Sequence, residues 1–368
     1  VASIGLPNLS SRERPSSDVV FEHGHTLPSH VLRALHLVSL DDKRRAFQPT
    51  LMNQEGRVTE IWFPGAHSDV GGGYNFDGLS DGSLRFFLDW FEEQPELGLQ
   101  FLTPNSIDYP SIFEPGSKYS IGPDDVQIDP SPFGVNHQQD RTPLIDHLTL
   151  TDRRCCVIRD DRVIDTATPL VHWSVAERIG GDRNYQPASL RNTAHRVIFQ
   201  DRSEQAFIGF SEHKSKYRRN LRLPDANGIE TRVYAHLKHN HTGIYLEQGK
   251  RYNIQVRTPS KQRWRDGSIH PVDGKGWDRG DVTLGIKEFA IAGLEPFRRV
   301  TTDKSGKKAK WFTLCGCIGT QDDDAFVIGN SLKGYTPPRS GELCAFANDL
   351  DDYYGNNSGF LCIKVCLA

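Results

Sequence analysis

A histidine and an aspartate stand two residues apart just before three glycines. His67 and Asp69 belong to the run EIWFPGAHSDVGGGY at residues 60–74. Imidazole is the usual general base near neutral pH, and glycines let the backbone bend closely around a reacting group. The pattern therefore predicts that His67 is a catalytic base, with Asp69 as a loop brace or a catalytic carboxylate. The alternative is that His67 caps a turn and the glycines serve only its geometry.

A second run of residues, at 348–359 (NDLDDYYGNNSG), is rich in oxygen donors. Side-chain oxygens come from Asp349, Asn356 and Asn357, and the backbone carbonyl of Tyr353 lies between them. Hard divalent cations bind several oxygens on a loop that can curl, and glycines flank this one. The spacing predicts a calcium site, and a purely structural turn is the alternative.

The elements around His67 are those of an α/β domain. The apolar run Ile61–Phe63 predicts a buried strand ending just before the histidine, as in enzymes that display catalytic residues beyond the carboxyl ends of strands. Helical periodicity extends from Leu27 to Leu40 and from Leu84 to Phe91. Asp41 and Asp42, next to basic residues, are typical of a solvated salt-bridged turn at a helix end, with a catalytic acid as the alternative.

The organisation changes near residue 195, and from about residue 226 the sequence is typical of an all-β sandwich. We therefore predict a hydrolase region at 1–195, a connector at 196–225 and the sandwich at 226–368. Short, turn-bounded runs predict its strands at Arg232–Lys238, Ile244–Leu246, Tyr252–Val256, Trp311–Cys315, Ala325–Ile328 and Phe360–Val365.

Composition narrows the class of protein. The chain has 368 residues, enough for two domains, and 37% of them are hydrophobic. A net charge of −3 with scattered Lys and Arg gives no support for nucleic acid binding. Seven cysteines without Cys-x-x-Cys spacing are typical of small buried residues rather than zinc ligands, although Cys344 and Cys362 could form a disulfide.

The run around His67 closely resembles the signature of the type VI secretion phospholipase effectors, a family of α/β-hydrolases. Three further segments resemble that family in the same order: 36–47 (HLVSLDDKRRAF), 78–90 (GLSDGSLRFFLDW) and 171–178 (VHWSVAER). The resemblance covers roughly residues 1–195. It implies that this part is the C-terminal portion of an α/β-hydrolase catalytic domain, so that the chain contains a partial α/β-hydrolase.

The resemblance also implies a Ser-His-Asp triad, whose serine stands on a Gly-x-Ser-x-Gly turn between a strand and a helix. We expect no such nucleophile in this chain; in Gly209–His213 (GFSEH), His213 replaces the second glycine. The first residues, VASIGLP, resemble the end of the family's Trp-Asp-Thr-Val strand. The expectation is that the serine and the acid lie upstream, on a catalytic segment that completes the site around His67.

By the same resemblance, the function is that of a serine esterase that hydrolyses lipid esters without a cofactor. The complete protein would be an antibacterial toxin, a secreted effector delivered to the periplasm or membrane of a target cell, with phospholipid membranes as substrate. A secretion spike and an immunity protein are further partners that the resemblance implies. The alternative is a non-catalytic module, built on a truncated hydrolase half, that binds a glycan or a protein partner.

The C-terminal region resembles the galactophilic PA-I-type lectins, through residues 348–359 and the run GIYLEQGKRY at 243–252. The resemblance implies that Asp349, Tyr353, Asn356 and Asn357 hold a calcium ion that contacts sugar hydroxyls. A further carbonyl would come from near Thr258. His270 and Asp273 would contact the sugar, with Asp273 standing where the lectins have glutamine, which leaves galactose specificity open.

Overall fold

The structure, a computed structural model, describes residues 26–112, 121–123, 126–137, 150–257, 264–278, 280 and 295–368. The chain forms two compact units that divide between Arg219 and Asn220. No helix among the described residues combines the length and the apolar character needed to cross a membrane.

The first unit contains a mixed sheet and a few helices. Its strands are β1 (Ala34–Ser39), β2 (Val58–Phe63), β3 (Ile158–Arg159), β4 (Arg162–Val163), β5 (Leu170–His172), β6 (Ala194–Ile198) and β7 (Glu204–Ile208). Its α-helices are α1 (His67–Gly71), α2 (Gly78–Glu92), α3 (Tyr109–Ile112), α4 (Trp173–Gly181) and α5 (Gly209–Lys216). The sheet has the order β1-β2-β5-β6-β7, in which only the β6–β7 pair is antiparallel. β3 and β4 form a separate hairpin.

Both faces of the central strands are buried. Ile61 and Phe63 pack with Val70 of α1 and Phe86 of α2, whereas Trp62 belongs to a second cluster that includes α4. Alternate residues of β2 therefore face two apolar layers, which is the arrangement expected of parallel strands covered on both faces. The predicted strand at Ile61–Phe63 is confirmed as the end of β2.

The helix predicted from Leu27 to Leu40 is wrong, because this segment contains β1. Short apolar runs in a doubly covered sheet lack strict alternation, and such runs cannot be distinguished from a buried helix by periodicity alone. The helical pattern from Leu84 to Phe91 is confirmed within α2.

The predicted connector at 196–225 differs from the structure in its first part. β6 adds to the parallel sheet beside β5, and β7 pairs with β6 as the edge strand. Val197 and Phe207 are buried in the first unit, so burial of these apolar residues explains why the segment folds into the sheet.

The second unit contains two four-stranded antiparallel sheets. Its strands are β8 (Ile229–Tyr234), β9 (Asn240–Leu246), β10 (Tyr252–Arg257), β11 (Leu314–Ile318), β12 (Phe326–Val327), β13 (Ser331–Tyr335), β14 (Gly341–Ala347) and β15 (Phe360–Leu367). One sheet has the order β13-β10-β15-β8 and the other β12-β11-β14-β9. Side chains from both sheets form one core, which makes the unit a β-sandwich.

The β12-β11-β14-β9 sheet is also covered on its outer face. There Cys315, Cys317, Cys344 and Phe346 pack against Val300 and residues near it in a separate apolar cluster. None of the seven cysteines, all within the described residues, forms a disulfide, so the bridge considered between Cys344 and Cys362 is absent. The two residues lie on strands of different sheets.

Candidate functional site

His67 lies just beyond the carboxyl end of β2, as the first residue of the short helix α1. The carboxyl ends of β1, β2, β5 and β6 meet at this edge of the sheet because the four strands are parallel. The His67 side chain is exposed, and its ring contacts the edge of Phe47 at a centroid distance of 5.5 Å. No described residue hydrogen-bonds to its imidazole nitrogens.

The surroundings of His67 favour the neutral form of its imidazole. Partial burial lowers the pKa of His67 below 6.5, and the charges of Arg153 and Arg44 act in the same direction, against Asp42. A neutral imidazole can accept a proton, which is the protonation state that a general base requires.

Asp69 holds the loop that carries His67. Its carboxylate, 1% exposed, accepts hydrogen bonds from the backbone N–H of Ala66 (2.8 Å) and of His137 (3.0 Å). Its other oxygen lies 2.6 Å from Nδ1 of His137, whose ring stacks on Tyr74. These are the contacts of a loop brace, and the catalytic roles predicted for His67 and Asp69 stay predictions.

Two further carboxylates hold the same loop from the segment that follows β1. Asp41 accepts hydrogen bonds from the Gly65 N–H (2.7 Å) and the Tyr185 hydroxyl (2.8 Å), and burial raises its pKa. Asp42 accepts from the His67 N–H at 3.0 Å and forms an ion pair with Arg44.

The sequence-based expectation of a solvated turn at Asp41 and Asp42 is therefore wrong, because both residues are buried. Burial alone would raise the pKa of Asp42, but hydrogen bonds from Arg44 and the charge of Arg153 bring it below 3.8. Asp42 thus holds the His67 backbone N–H with a charged carboxylate, a role that only the pairing of β1 with β2 could reveal.

Gly65 is required by the close packing of the loop. Its φ of 104° lies in the region that favours glycine. A Cβ at this position would lie 2.4 Å from Cβ of Asp69, closer than any two such atoms can approach. The Pro-Gly pair of the motif therefore fixes the distance between the end of β2 and the Asp69 brace.

A cavity of about 310 Å³ opens at the same edge of the sheet. Its walls come from α2, from residues 130–132, from the start of α4 and from residues 199–202. Phe86, Trp173 and Phe199 give it apolar walls, and buried His172 lines it with Nδ1 2.8 Å from the Ser174 hydroxyl. Burial lowers the pKa of His172 to about 3, so this imidazole is neutral.

The chain contains one Gly-x-Ser-x-Gly string, at Gly78–Gly82, contrary to the expectation that it holds none. Ser80 is not on a strand-to-helix elbow, however, because a loop precedes it and it lies in the first turn of α2. Its hydroxyl donates to the Asp77 carbonyl, and its backbone φ is not positive. The GFSEH string is also helical, and its His213 is buried against His195.

In the second unit, the predicted calcium loop brings two of its side chains together in the interior. Asp349 and Asn357 are each 1% exposed. The Asp349 carboxylate accepts hydrogen bonds from the Leu350 N–H (2.7 Å) and from Nδ2 of Asn357 (2.9 Å). No described cation lies within ion-pair distance of Asp349, and Oδ1 of Asn357 is buried with no described hydrogen-bond partner.

The other residues predicted for calcium and sugar binding lie at the surface. Tyr353 and Asn356 are exposed, at the start and the end of a 3₁₀ turn. His270 and Asp273 are exposed as well, and Asp273 accepts hydrogen bonds from the Lys275 N–H and from Asn330. The position near Thr258 lies outside the described residues.

Comparisons with known proteins bear on both units. The family model of the type VI secretion system (T6SS) Tle1-like phospholipase effector, catalytic domain, matches residues 1–90. These residues are similar to that catalytic domain. They contain β1, β2, α1 and therefore His67 and Asp69. The resemblance inferred from the sequence is confirmed over this stretch.

Among solved structures, the chain matches one described as the EclA N-terminal domain, a PllA-like lectin. The match has 19% sequence identity and a TM-score of 0.24, and it covers 39% of this chain and 98% of that one. No curated protein matches the chain.

Proposed function

We propose that the first unit is part of an α/β-hydrolase that cleaves phospholipid esters, with His67 as its general base. The observation that carries this proposal is the position of His67. It lies within the residues that match the phospholipase effector family and at the edge where four parallel strands end. That edge is where α/β folds place their catalytic residues.

In the proposed mechanism, neutral His67 takes the proton from a serine hydroxyl as that oxygen attacks the acyl carbon of the ester. His67 then gives the proton to the departing alcohol, and it activates water to release the fatty acid. The serine and the acid come from a segment upstream of these residues. The reaction needs no cofactor.

Asp69 and Asp42 serve this mechanism as positioning residues. Asp69 holds the turn of α1 through the Ala66 N–H, and Asp42 holds the His67 N–H. Two anchors, one from its own helix and one from the segment after β1, hold the backbone that carries the imidazole. Misplacement of a catalytic group by about 1 Å can cost about 100-fold in rate.

The cavity beside α2 is proposed to accept an acyl chain. Its apolar walls suit a hydrocarbon, while Arg85 and Arg202 at its border are paired with Asp89 and Glu93. The match over residues 1–90 also supports the biological context that we propose: secretion as a T6SS effector and action as a toxin on the membrane or periplasm of a target cell. A secretion spike and an immunity protein are the protein partners of that context.

Hydrolysis of phosphatidylethanolamine and phosphatidylglycerol vesicles by the full-length gene product tests this proposal. We expect His67→Ala to reduce fatty acid release by about 10²–10⁴-fold, because a positioned general base contributes that much. His30→Ala, which removes an exposed imidazole of the same unit, is the matched control and should leave the rate unchanged. Equal activity of the parent and His67→Ala would refute the assignment, and an inactive parent would favour the non-catalytic binding module.

We further propose that the second unit binds calcium, with Asp349, Asn356, Asn357 and the Tyr353 carbonyl as ligands. Two buried groups support the fit: the Asp349 carboxylate, without a described cation, and the Asn357 carbonyl oxygen, without a described partner. Asn357 now turns its amide nitrogen toward Asp349. Rotation of that amide would present its oxygen to a cation beside the carboxylate, and calcium prefers both kinds of oxygen.

When bound, calcium would offer coordination positions to sugar hydroxyls, and His270 and Asp273 are proposed to contact the same glycan. Calorimetric titration of the full chain with calcium tests the metal site. Asp349→Asn should weaken binding by at least about tenfold because it removes a charged ligand. Asp352→Asn in the same loop, exposed and outside the ligand set, should bind like the parent. Equal binding by Asp349→Asn would refute the ligand set.

A further inference from the structure

His137 reaches the loop of His67 from a distant part of the chain and binds the buried carboxylate of Asp69. Nδ1 of its imidazole lies 2.6 Å from Oδ1 of Asp69, and its backbone N–H donates to Oδ2 at 3.0 Å. Asp69 is two residues from His67 on the short helix α1. Both imidazoles therefore belong to the edge at which the four parallel strands of the sheet end.

The Asp69 carboxylate determines which nitrogen of the His137 ring carries a proton. Because a carboxylate accepts hydrogen bonds, Nδ1 is the donor, and Nε2 of the neutral ring has a free lone pair. No described residue hydrogen-bonds to Nε2, and this atom is not buried, so water can reach it. A carboxylate on Nδ1 with Nε2 turned outward is the arrangement that orients the base in serine hydrolases.

The imidazole of His137 is not needed to brace the loop. The backbone N–H groups of Ala66 and His137 already bind Oδ2 of Asp69, and the Asn136 side chain donates to Asp41 at 3.0 Å. These bonds connect the segment to the loop without the ring. The ring, part of a side chain that is 22% exposed, stacks on Tyr74 at a centroid distance of 3.8 Å, which fixes its plane.

The two histidines at this edge are held in different ways. His67 is fixed through its backbone N–H by Asp42, and no described residue hydrogen-bonds to its ring. His137 is fixed through the ring itself by Asp69. The edge thus contains one imidazole that awaits a serine and an acid, and a second that already has a carboxylate.

A similar pair in the second unit shows what distinguishes His137. His239 and Cys317 lie close to Asp322, but Nη2 of Arg299 lies 2.8 Å from Nε2 of His239 and 2.6 Å from Oδ1 of Asp322. The guanidinium neutralises that carboxylate, so it does not act as the acid of a histidine base. No described lysine or arginine forms an ion pair with the carboxylate that holds His137.

We propose that His137 is the general base of the second half of the reaction, the hydrolysis of the acyl-enzyme. This inference rests on the proposed function and gives its last step to a second imidazole. Nε2 of His137 takes one proton from a water whose oxygen bonds to the acyl carbon. The bond between that carbon and the serine oxygen then breaks, and His137 returns the proton to the serine oxygen. The fatty acid leaves with the other proton of the water.

In this division, His67 serves the formation of the acyl-enzyme, and Asp69 is the positioning residue of His137. Steady-state kinetics of the full-length gene product separate the two steps. The ratio kcat/KM reports the steps up to acylation, whereas kcat also includes deacylation. A loss confined to deacylation therefore lowers kcat and KM together and leaves their ratio unchanged.

His137→Asn tests the proposal, because an asparagine keeps an N–H for Asp69 but has no atom at the position of Nε2. On a short-chain p-nitrophenyl ester we expect kcat and KM of this variant to fall together by about 100-fold or more, with kcat/KM unchanged. The acyl-enzyme should accumulate and appear as an early burst of nitrophenol. His67→Ala should lower kcat/KM instead.

His36→Asn is the matched control. Nδ1 of His36 also lies beside a carboxylate, 2.9 Å from Oε2 of Glu60, but His36 belongs to β1 and precedes the sheet edge. This variant should have the kinetics of the parent.

Nitrogen NMR of the parent gives a measurement that does not depend on a variant. The neutral ring of His137 should carry its proton on Nδ1, and a proton on Nε2 alone would overturn the assignment. Parent-like kinetics of His137→Asn, or a fall of its kcat/KM as large as that of kcat, would overturn this inference and leave the proposed function intact. A parent that hydrolyses no ester would overturn both.

Discussion

At the scale of single residues, the charged groups around the loop of His67 decide which side chain is available as a general base. The lowered pKa of His67 favours its neutral form, and no described residue hydrogen-bonds to its ring, whereas the carboxylates of Asp42 and Asp69 hold its loop. The spacing of His67 and Asp69 in the sequence predicted catalytic roles for them, and these stay predictions. It could not identify Asp42 or His137, because these reach the loop only through folding of segments 25 and 68 residues away.

The pH dependence of hydrolysis follows from the His67 pKa. The folded protein holds this pKa below 6.5, so the unfolded chain binds more protons in the interval between the two values. The contribution to stability is present above 6.5 and is lost as pH falls through the folded pKa. We expect kcat/KM of the full-length enzyme to be constant near neutral pH, with an acidic limb below pH 6.5. A limb above that value, in rates measured on short-chain esters, would contradict His67 as the base.

In the second unit without calcium, the raised pKa of Asp349 gives folding stability the opposite dependence on pH. Burial raises its folded pKa above 3.8, so the folded state binds more protons than the unfolded chain. Stability in chelator should therefore fall as pH rises from 3.8 through the folded pKa of Asp349, and added calcium should remove the fall. Thermal unfolding of Asp349→Asn, which cannot titrate there, should show no such trend in chelator. An identical slope in parent and variant would show that another group is responsible.

At the scale of elements, the sequence predicted the helices and strands that a local run of apolar residues reveals. The end of β2, the core of α2 and six strands of the sandwich were visible as runs of apolar residues. β1 was mistaken for a helix, and β13 and β14 were not predicted, because burial on both faces or short irregular runs conceal the period of a strand. The Gly-x-Ser-x-Gly string at Gly78–Gly82 is visible in the sequence and was missed there. The structure shows that a loop precedes it, so Ser80 belongs to a helix start and not to an elbow.

Gly65, between β2 and α1, is the position at which a substitution has the clearest expected effect on the elements around it. We expect Gly65→Ala to lower the free energy of unfolding by more than about 2 kcal/mol, because it combines a positive φ with overlap against Asp69. Activity of the full-length enzyme should fall with it, since the loop carries His67. Gly71→Ala, in the same loop with open space and without a positive φ, should change stability by less than about 1 kcal/mol in denaturant unfolding. Similar losses in both variants would contradict the argument.

At the scale of the whole molecule, each unit has its own core and its own sheets. We therefore expect residues 220–368 to fold when produced alone, with a cooperative thermal transition that calcium raises. Asp349→Asn in the same fragment should fold but lose most of the calcium response. A fragment without cooperative unfolding in the presence of calcium would show that the sandwich depends on the first unit.

The arginine among His239, Cys317 and Asp322 has a consequence for natural variation. Arg299 serves there as a permanent counter-ion, held also by stacking on Phe346 and by the Tyr354 hydroxyl. A relative that lost this arginine would bury an uncompensated acidic group. We expect substitutions at position 299 to be inherited together with loss of the acid at 322, or with gain of an ion between the same donors. The charge at position 299 is thus tied to the charge at position 322 over the history of the lineage.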